Sequence, residues 1–163
     1  MIRKALITDL PAIVDIYNQA IISRCCTGDT FCFSADERLP WFMEHNTPRT
    51  PVFVFEMEQR VIAYCSISPY RPGRKAFENI GEISYYVDFN YHKKGVGSQL
   101  LKHLLMEAAI TDYSHLLAIL LECNIGSISL LEKFGFKKWG ALPNIAHIDN
   151  NYYSHLYYGL AII

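Results

Sequence analysis

The sequence has no long hydrophobic run and no cluster of basic residues. No window of about 18 uncharged apolar residues occurs, so we expect no membrane-spanning segment. The first residues, MIRKALITDL, are interrupted by Asp9 and followed by Pro11, and therefore lack the apolar core of a signal peptide. The net charge is −1 at pH 7, and no basic stretch is long. This balance argues against a nucleic-acid partner.

Cysteine is scarce and follows no framework pattern. The five residues are Cys25, Cys26, Cys32, Cys65 and Cys123. An odd number without regular spacing favours reduced thiols and therefore a cytoplasmic location. The pattern CC-x5-C matches no common zinc spacing and no paired histidine motif follows, so we expect no metal site.

The length of 163 residues suits one domain, spanning 1–163, and a hydrophobic fraction of 51% provides a core. Strand-like and helix-like segments alternate in the order β-α-α-β-β-β-α-β-α-β-β, which predicts an α/β domain with helices covering a sheet. The predicted strands are 2–6, 52–57, 61–68, 83–88, 116–121, 136–139 and 152–162. The predicted helices begin near Asp9 and Ser34 and span 95–109 and 127–134.

The sheet is expected to be mixed. The turn at Glu58 and Gln59 joins two strands as an antiparallel hairpin. The strand–helix–strand order across 83–121 instead predicts locally parallel neighbours. Within it, 116–121 is continuously apolar, which is typical of a central strand covered on both faces.

A basic, glycine-containing turn links a predicted strand to a long helix and is the most informative local motif. Its sequence, HKKGVG, contains Lys93 and Lys94 followed by Gly95 and Gly97. Glycine allows backbone N–H groups to approach a ligand closely, and a helix amino terminus adds free N–H donors and partial positive charge. The turn is therefore a candidate cradle for a pyrophosphate.

Three nucleotide-binding motifs compete for this turn. The P-loop pattern G-x-x-x-x-G-K-[ST] is absent. A dinucleotide fingerprint requires a third glycine where Leu100 stands, and it usually lies in the first βα turn of its fold. The third is an acetyl-CoA turn, and an ordinary β–α turn with solvated lysines also remains open.

The turn resembles the acetyl-CoA motif of the GNAT superfamily of N-acetyltransferases, Arg/Gln-x-x-Gly-x-Gly/Ala, with His92 where Arg or Gln is usual. A second segment, from Asn124 through Ser127 to LLEKFGF, resembles the strand–Asn–x–x–Ser–helix–Gly–Phe element of the superfamily. The stretches YNQAI, DERLPWF and RPGRKAFENIGEISYYV resemble its phosphinothricin-acetyltransferase-like branch. Together these similarities cover almost the whole chain.

The resemblance implies the GNAT fold, a central twisted mixed sheet flanked by helices, with acetyl-CoA as cosubstrate and no metal. It implies acetyl transfer to the amine of a small molecule, such as an amino acid or a phosphinothricin-like analogue, and a homodimer. The residues that it assigns to the cofactor are Tyr85, Tyr86, Val87, Lys93, Lys94, Gly95, Val96, Gly97, Ser98 and Asn124.

Glu82 is the candidate catalytic residue, because it matches the acidic residue of this branch and a base must remove the proton of the amine. Strand alternation places Tyr85 and Tyr86 on opposite faces, so only one side chain faces the cofactor. Many superfamily members carry a tyrosine general acid in the helix after the Asn. Leu131 occupies that position here, so the general acid is unassigned.

The acceptor site is less defined. Arg74 resembles an arginine of the branch that suits a substrate carboxylate, and Arg71 lies nearby. Phe31 and Phe77 are candidates to line the amine pocket. His147 is expected in a late loop with a structural role. Acetylation of a protein amine and a non-catalytic acetyl-CoA sensor remain alternative functions.

Overall fold

The computed structural model describes residues 1–162, which form seven strands and four α-helices. Short 3-10 turns occupy Ile7–Asp9, Lys75–Phe77 and Phe89–Tyr91. The strands are β1 (Ile2–Lys4), β2 (Val52–Met57), β3 (Arg60–Pro69), β4 (Ile80–Val87), β5 (His115–Leu121), β6 (Lys137–Ile148) and β7 (Asn151–Ala161). The helices are α1 (Leu10–Ile22), α2 (Ala35–His45), α3 (Val96–Ile110) and α4 (Ile125–Lys133).

The strands form one mixed sheet in the order β1-β2-β3-β4-β5-β7-β6. Among the strands of residues 1–162, only β4 and β5 pair in parallel, and every other neighbouring pair is antiparallel. The parallel pair is the one joined through α3, because a strand needs a crossover element to return in the same direction. The predicted α/β architecture with a mixed sheet is confirmed.

Two apolar layers sandwich the sheet. One contains α3 and α4 with inward side chains such as Ile67 and Leu104, and the other contains α1 and α2 with Val54 and Tyr64. Alternation along each strand sends neighbouring side chains to opposite layers. Strand β5 is buried on both faces, as its continuous apolar sequence predicts.

The start of α2 follows from its sequence. Ser34 accepts a hydrogen bond from the Glu37 N–H at 3.3 Å, and the Glu37 carboxylate accepts one from the Ser34 N–H at 2.7 Å. This reciprocal pair is the capping box that the S-x-x-E spacing predicts. The helix continues past Pro40 to His45 despite the missing N–H donor.

The carboxy-terminal hairpin differs from expectation. Strand β6 extends through Ile148, so His147 lies in a strand and stacks on Tyr152 at 4.6 Å, and the predicted late loop is wrong. The register slips between Lys138 and Gly140 and again between Leu142 and Ala146. These irregularities disrupt the two-residue alternation by which a strand is recognised in sequence.

The expectation that all five cysteines are reduced is wrong for two of them. Cys25 and Cys123 form a disulfide across 98 positions of sequence, with Cα atoms 5.7 Å apart. The fold brings the loop after α1 against the turn after β5, a proximity that spacing along the chain does not reveal. Cys26, Cys32 and Cys65 are free.

Within residues 1–162, no helix is both long and apolar enough to cross a membrane. The same residues contain no group of three or more His, Cys, Asp or Glu side chains arranged to hold a metal ion.

Candidate active site

Strands β4 and β5 separate partway along their length. They pair only where Ile80–Glu82 lies beside His115–Leu117, although β4 continues to Val87. On its other edge, β4 stays paired with β3 as far as Val87. The edge of β4 that faces β5 therefore presents unpaired main-chain groups beyond Glu82. An extended ligand can bind such an edge as an added strand.

A cavity of about 560 Å³ leads from this opening to the start of α3, and we call it the cofactor groove. Gly95 caps α3 with φ of +80°, a left-handed conformation that costs little only for glycine. A Cβ on Gly97 would approach the Leu130 side chain to 3.2 Å, so this glycine permits close packing of α3 against α4. The free N–H groups of the first helical turn suit a pyrophosphate.

The structure brings most of the predicted cofactor residues to this groove. Lys94 is the exception, since its ammonium lies over the Tyr91 ring at 5.1 Å and the residue does not line the groove. The predicted residues that line the groove are Tyr85, Tyr86, Val87, Lys93, Gly95, Val96, Gly97, Ser98 and Asn124.

Two polar side chains shape the ends of the groove. His92 makes a hydrogen bond through Nε2 to the Val87 carbonyl at 2.9 Å, which ties the turn to the end of β4. The Asn124 side-chain oxygen accepts a hydrogen bond from the Ser127 N–H at 3.2 Å and caps α4. Asn124 thus occupies both the capping position and the groove wall that the sequence motif suggests.

Glu82 lines a second cavity of about 330 Å³, the acceptor cavity, with Ser84 and Tyr86 from the same strand. Its carboxyl group is partly buried, and this burial raises its pKa above the usual range because the charged form loses solvation. No Lys, Arg or His within residues 1–162 forms an ion pair with it. A carboxylate with a raised pKa and no cationic partner is suited to accept a proton.

The two cavities meet at the gap between β4 and β5, where Cys26 and Tyr86 line both. Tyr86 turns towards the acceptor cavity, packing edge-on against Tyr17 at 5.0 Å and stacking on Tyr64 at 5.3 Å. Tyr85 faces the opposite layer and the cofactor groove. The strand thereby separates the layer beside the cofactor groove, here called the cofactor side, from the layer beside the acceptor cavity, here called the acceptor side.

The four predicted substrate residues do not line the acceptor cavity. Phe31 is 83% exposed. Arg71 and Arg74 line a separate cavity of about 320 Å³ in the β3–β4 loop, and Phe77 packs edge-on against Tyr70 in that loop. Arg49 helps to hold the loop there by donating to the Glu78 carbonyl at 2.5 Å. A role for the four residues in substrate binding stays a prediction.

Sequence reasoning missed Arg38, which lines the acceptor cavity from α2. Its guanidinium lies among three aromatic rings, with centroids at 4.5 Å for Trp41, 4.7 Å for Tyr17 and 5.2 Å for Phe33. No carboxylate within residues 1–162 pairs with it. The i, i+3 spacing of Arg38 and Trp41 was the available sequence signal, but the other two rings come from outside the helix.

Tyr85 has an unusual environment. Its hydroxyl oxygen is buried and has no hydrogen-bond partner among residues 1–162. Burial raises the pKa of Tyr85 to about 12, and the Ser127 side chain offsets part of this rise. Ser127 is close enough to interact with the Tyr85 hydroxyl but does not meet the geometry of a hydrogen bond with it. Buried polar groups are normally paired, so this hydroxyl calls for a physical explanation.

Comparison with known proteins agrees with this geometry. A model of the Acetyltransferase (GNAT) family matches residues 15–136. The Bacillus subtilis (strain 168) protein YwnH, described as a candidate phosphinothricin acetyltransferase, is 39% identical over 153 residues, which cover 93% of each chain. The Escherichia coli (strain K12) L-amino acid N-acyltransferase MnaT is 30% identical over 144 residues, covering 88% of this chain and 83% of that protein.

A solved structure agrees as well. It is yncA from Salmonella typhimurium, a candidate acetyltransferase determined with its cofactor acetyl-CoA. It has a TM-score of 0.93 and 27% identity, covering 100% of this chain and 94% of that chain. The chain belongs to the GNAT acetyltransferase family. It is an acetyl-CoA-dependent N-acetyltransferase, and the β4 edge with the α3 turn fits that cosubstrate.

Proposed function

We propose that this enzyme transfers the acetyl group of acetyl-CoA to the amine of an amino acid or amino-acid analogue, with Glu82 as the base. The observation that carries the proposal is the meeting of the cofactor groove with a cavity that contains both Glu82 and Arg38. The names of two relatives, an L-amino acid acyltransferase and a candidate phosphinothricin acetyltransferase, support the same substrate class.

In the proposed reaction the amine nitrogen forms a bond to the thioester carbonyl carbon, and the carbon–sulfur bond breaks. Free amines with a pKa near ~10 are mostly protonated at pH 7, so one proton must leave before attack. Glu82 accepts that proton directly or through a water molecule. Main-chain N–H groups on the free edge of β4 stabilise the developing oxyanion.

The acceptor cavity offers opposite charges for the two ends of an amino acid. Glu82 suits the amine, and the Arg38 guanidinium suits a carboxylate, which it binds through paired N–H donors. The aromatic rings hold the guanidinium by cation–π contacts, and no carboxylate among residues 1–162 forms an ion pair with it, so its charge is available to a ligand. A simple alkylamine lacks the group that Arg38 would bind, so we expect weaker turnover of such acceptors.

The proposal assigns the diphosphate of coenzyme A to the turn from Lys93 through Ser98. It assigns the pantetheine arm to the main chain of Tyr85 through Val87, in the manner of an added strand. Asn124 and the first turn of α3 complete the walls of this path. The Lys94 side chain lies on the Tyr91 ring and does not line the groove, so Lys94 attracts the diphosphate only through its positive charge at a distance.

A screen of amino acids, simple amines and peptides with acetyl-CoA tests the proposal, with thiol release and product mass as readouts. We expect the best amino acid to exceed simple amines and peptides in kcat/KM. Glu82→Gln should lower kcat/KM by about a hundredfold or more, the scale of a lost general base. It should also remove the low-pH decline in activity that protonation of Glu82 produces.

We expect the loss of activity in Glu82→Gln to reflect lost catalysis and not a loss of folding stability. The raised pKa means that Glu82 favours the folded state only when it is protonated, and this contribution is lost as pH rises through its folded pKa. Glu82→Gln should therefore unfold no more easily than wild type at neutral pH. Glu78→Gln, an exposed carboxylate in the β3–β4 loop, is the matched control. Preference for peptides, or cofactor binding without turnover of any acceptor, would overturn the proposal.

We also propose a homodimer in the cytoplasm. The edge strand β6 exposes apolar side chains, including Trp139 at 52% and Ile145 at 56%, and Tyr152 of β7 is 64% exposed. Exposed apolar edge strands favour association. A monomer mass in sedimentation equilibrium would contradict the dimer. Three of the five thiols are free, which suits a reducing compartment, and in such a compartment we expect the Cys25–Cys123 disulfide to be reduced.

A further inference from the structure

The leaving thiolate of coenzyme A has no hydrogen-bond donor from the helix position where one is expected. Leu131 occupies that position in α4, is fully buried and has no polar hydrogen. Acetyl transfer is complete only when the sulfur leaves with the electron pair of the carbon–sulfur bond, so a hydrogen-bond donor near the sulfur lowers the barrier to that departure. The question is whether another residue of this chain supplies it.

Tyr85 lies on β4 directly across the groove from α4. A small extension of the cofactor groove between β4 and β5 is lined by Tyr85 together with Asn124, Ser127 and Leu131 of the α4 segment. Cys26, which marks the junction with the acceptor cavity, lines the same extension. Tyr85 therefore lines the cofactor groove and its extension, next to the junction with the acceptor cavity.

The Tyr85 hydroxyl is buried without a partner, and the ring packs against the core that contains Leu131. Leaving a buried hydroxyl unpaired costs stability, and a phenylalanine would avoid that cost. The only other buried side-chain polar atom without a partner among residues 1–162 is Nε2 of His103, which lies 3.8 Å from Glu107. Of these two residues, Tyr85 lines the cofactor groove and His103 does not.

We propose that Tyr85 donates the hydrogen bond that stabilises the departing sulfur of coenzyme A, in place of a donor on α4. This inference rests on the proposed function, since it assumes acetyl transfer at this site. Tyr85 and Glu82 then act from opposite faces of one strand, with the amine on one side and the leaving group on the other.

The proton balance follows from the acidity of the two groups. The nitrogen–carbon bond forms, the carbon–sulfur bond breaks, and the electron pair of the carbon–sulfur bond moves to sulfur. The protonated amine loses two protons in all, one to Glu82 before attack and a second to solvent as the amide forms. Burial raises the pKa of Tyr85 to about 12, whereas a free thiol has a pKa near ~8.5. The phenolic proton therefore stays on oxygen in an O–H···S hydrogen bond, and the thiolate is protonated by water on release.

Tyr85→Phe tests this role because it keeps the ring and removes only the hydroxyl. We expect kcat to fall at least about tenfold, less than the loss of an oxyanion donor because sulfur accepts hydrogen bonds weakly. We expect the unfolding temperature to stay the same or rise, because an unpaired buried hydroxyl is lost. Tyr113→Phe is the matched control, since that buried hydroxyl donates to the Arg49 carbonyl at 2.9 Å, away from the groove.

A second measurement requires no acceptor and no turnover. Titration of the ultraviolet absorbance of the coenzyme A thiolate bound to the enzyme gives the pKa of the bound thiol. Wild type should hold that pKa about one unit below its value in Tyr85→Phe, which corresponds to a tenfold preference for the thiolate. Tyr113→Phe should match wild type.

The outcomes are distinct. A lower kcat with a raised thiol pKa supports the role of Tyr85. An unchanged thiol pKa overturns it, whether or not kcat falls, because a packing defect changes rate without changing that pKa. If wild type acetylates no acceptor but the thiol pKa still depends on Tyr85, the proposed function fails and the contact between Tyr85 and the sulfur stands.

Discussion

Arg38 illustrates how one residue is prepared for a ligand by its neighbours. The rings of Tyr17, Phe33 and Trp41 restrict the guanidinium, so less conformational freedom is lost when it binds an anion. Tyr17 is in turn fixed by a hydrogen bond to Thr27 at 2.8 Å and another to Asp29. The loop after α1 and the helix α2 therefore position the side chain together.

Arg38→Met tests whether this side chain selects acceptors with a carboxylate. The substitution keeps a long apolar chain against the rings and removes the donors. We expect kcat/KM for the best amino acid to fall about 10- to 100-fold, the scale of a charged hydrogen bond of ~1.5–3 kcal/mol. For the amine that corresponds to this amino acid without its carboxylate, kcat/KM should be the same in the variant and in wild type.

The control for this prediction is Arg60→Met, which removes an exposed charge at the start of β3. It should leave the ratio of the two kcat/KM values unchanged. Equal losses of activity on the amino acid and on its amine in Arg38→Met would show that Arg38 supports the cavity wall and does not bind the carboxylate.

At the scale of elements, local chemistry made the cofactor side predictable. The turn before α3 is defined by Gly95 and by a helix start, both of which are encoded within a few residues. Strand β5 was predictable from a continuous apolar run. The acceptor side was not, because Arg38 meets rings from α1 and from the following loop only after tertiary packing.

Loops and irregular strands account for the remaining differences. Arg71 and Arg74 line a cavity that is separate from the acceptor cavity. The position of their loop depends on a hydrogen bond from Arg49, which is distant in sequence. Strand β6 was predicted too short because two register shifts break its alternation. The contact that directs the loop lies far away in sequence, and the register shifts interrupt the alternation of β6 itself, so local patterns carry no signal in either case.

Gly95→Ala tests the contribution of the α3 turn. A Cβ there would meet no atom within 4 Å, so the penalty comes from the backbone, with φ of +80°. A left-handed alanine costs roughly 1–2 kcal/mol, and relief of that strain would displace the N–H groups of the cradle. We expect the KM for acetyl-CoA to rise several-fold with little change in the KM for the acceptor.

Gly140→Ala is the control for this variant, since Gly140 has equally open surroundings without a positive φ. It should change neither KM. If Gly95→Ala bound acetyl-CoA as tightly as wild type, the turn would not be the diphosphate cradle.

At the scale of the whole molecule, the sheet divides the enzyme into a cofactor side with α3 and α4 and an acceptor side with α1 and α2. The loop after α1 is the segment that touches both, because Cys26 lines the cofactor groove and the acceptor cavity. The adjacent Cys25 is bonded to Cys123 beside α4, so a covalent link joins this loop to the cofactor side.

This link predicts a redox-dependent stability. A disulfide across 98 residues removes much of the freedom of the unfolded chain, which typically contributes about 2–4 kcal/mol. Reductant should therefore lower the denaturation midpoint of wild type, and Cys25→Ser should show the lower midpoint with or without reductant. Cys32→Ser, which removes an exposed free thiol, should behave as wild type. Equal midpoints for oxidised and reduced wild type, or a peptide map without the Cys25–Cys123 cross-link under non-reducing conditions, would show that the two sulfurs only pack against each other.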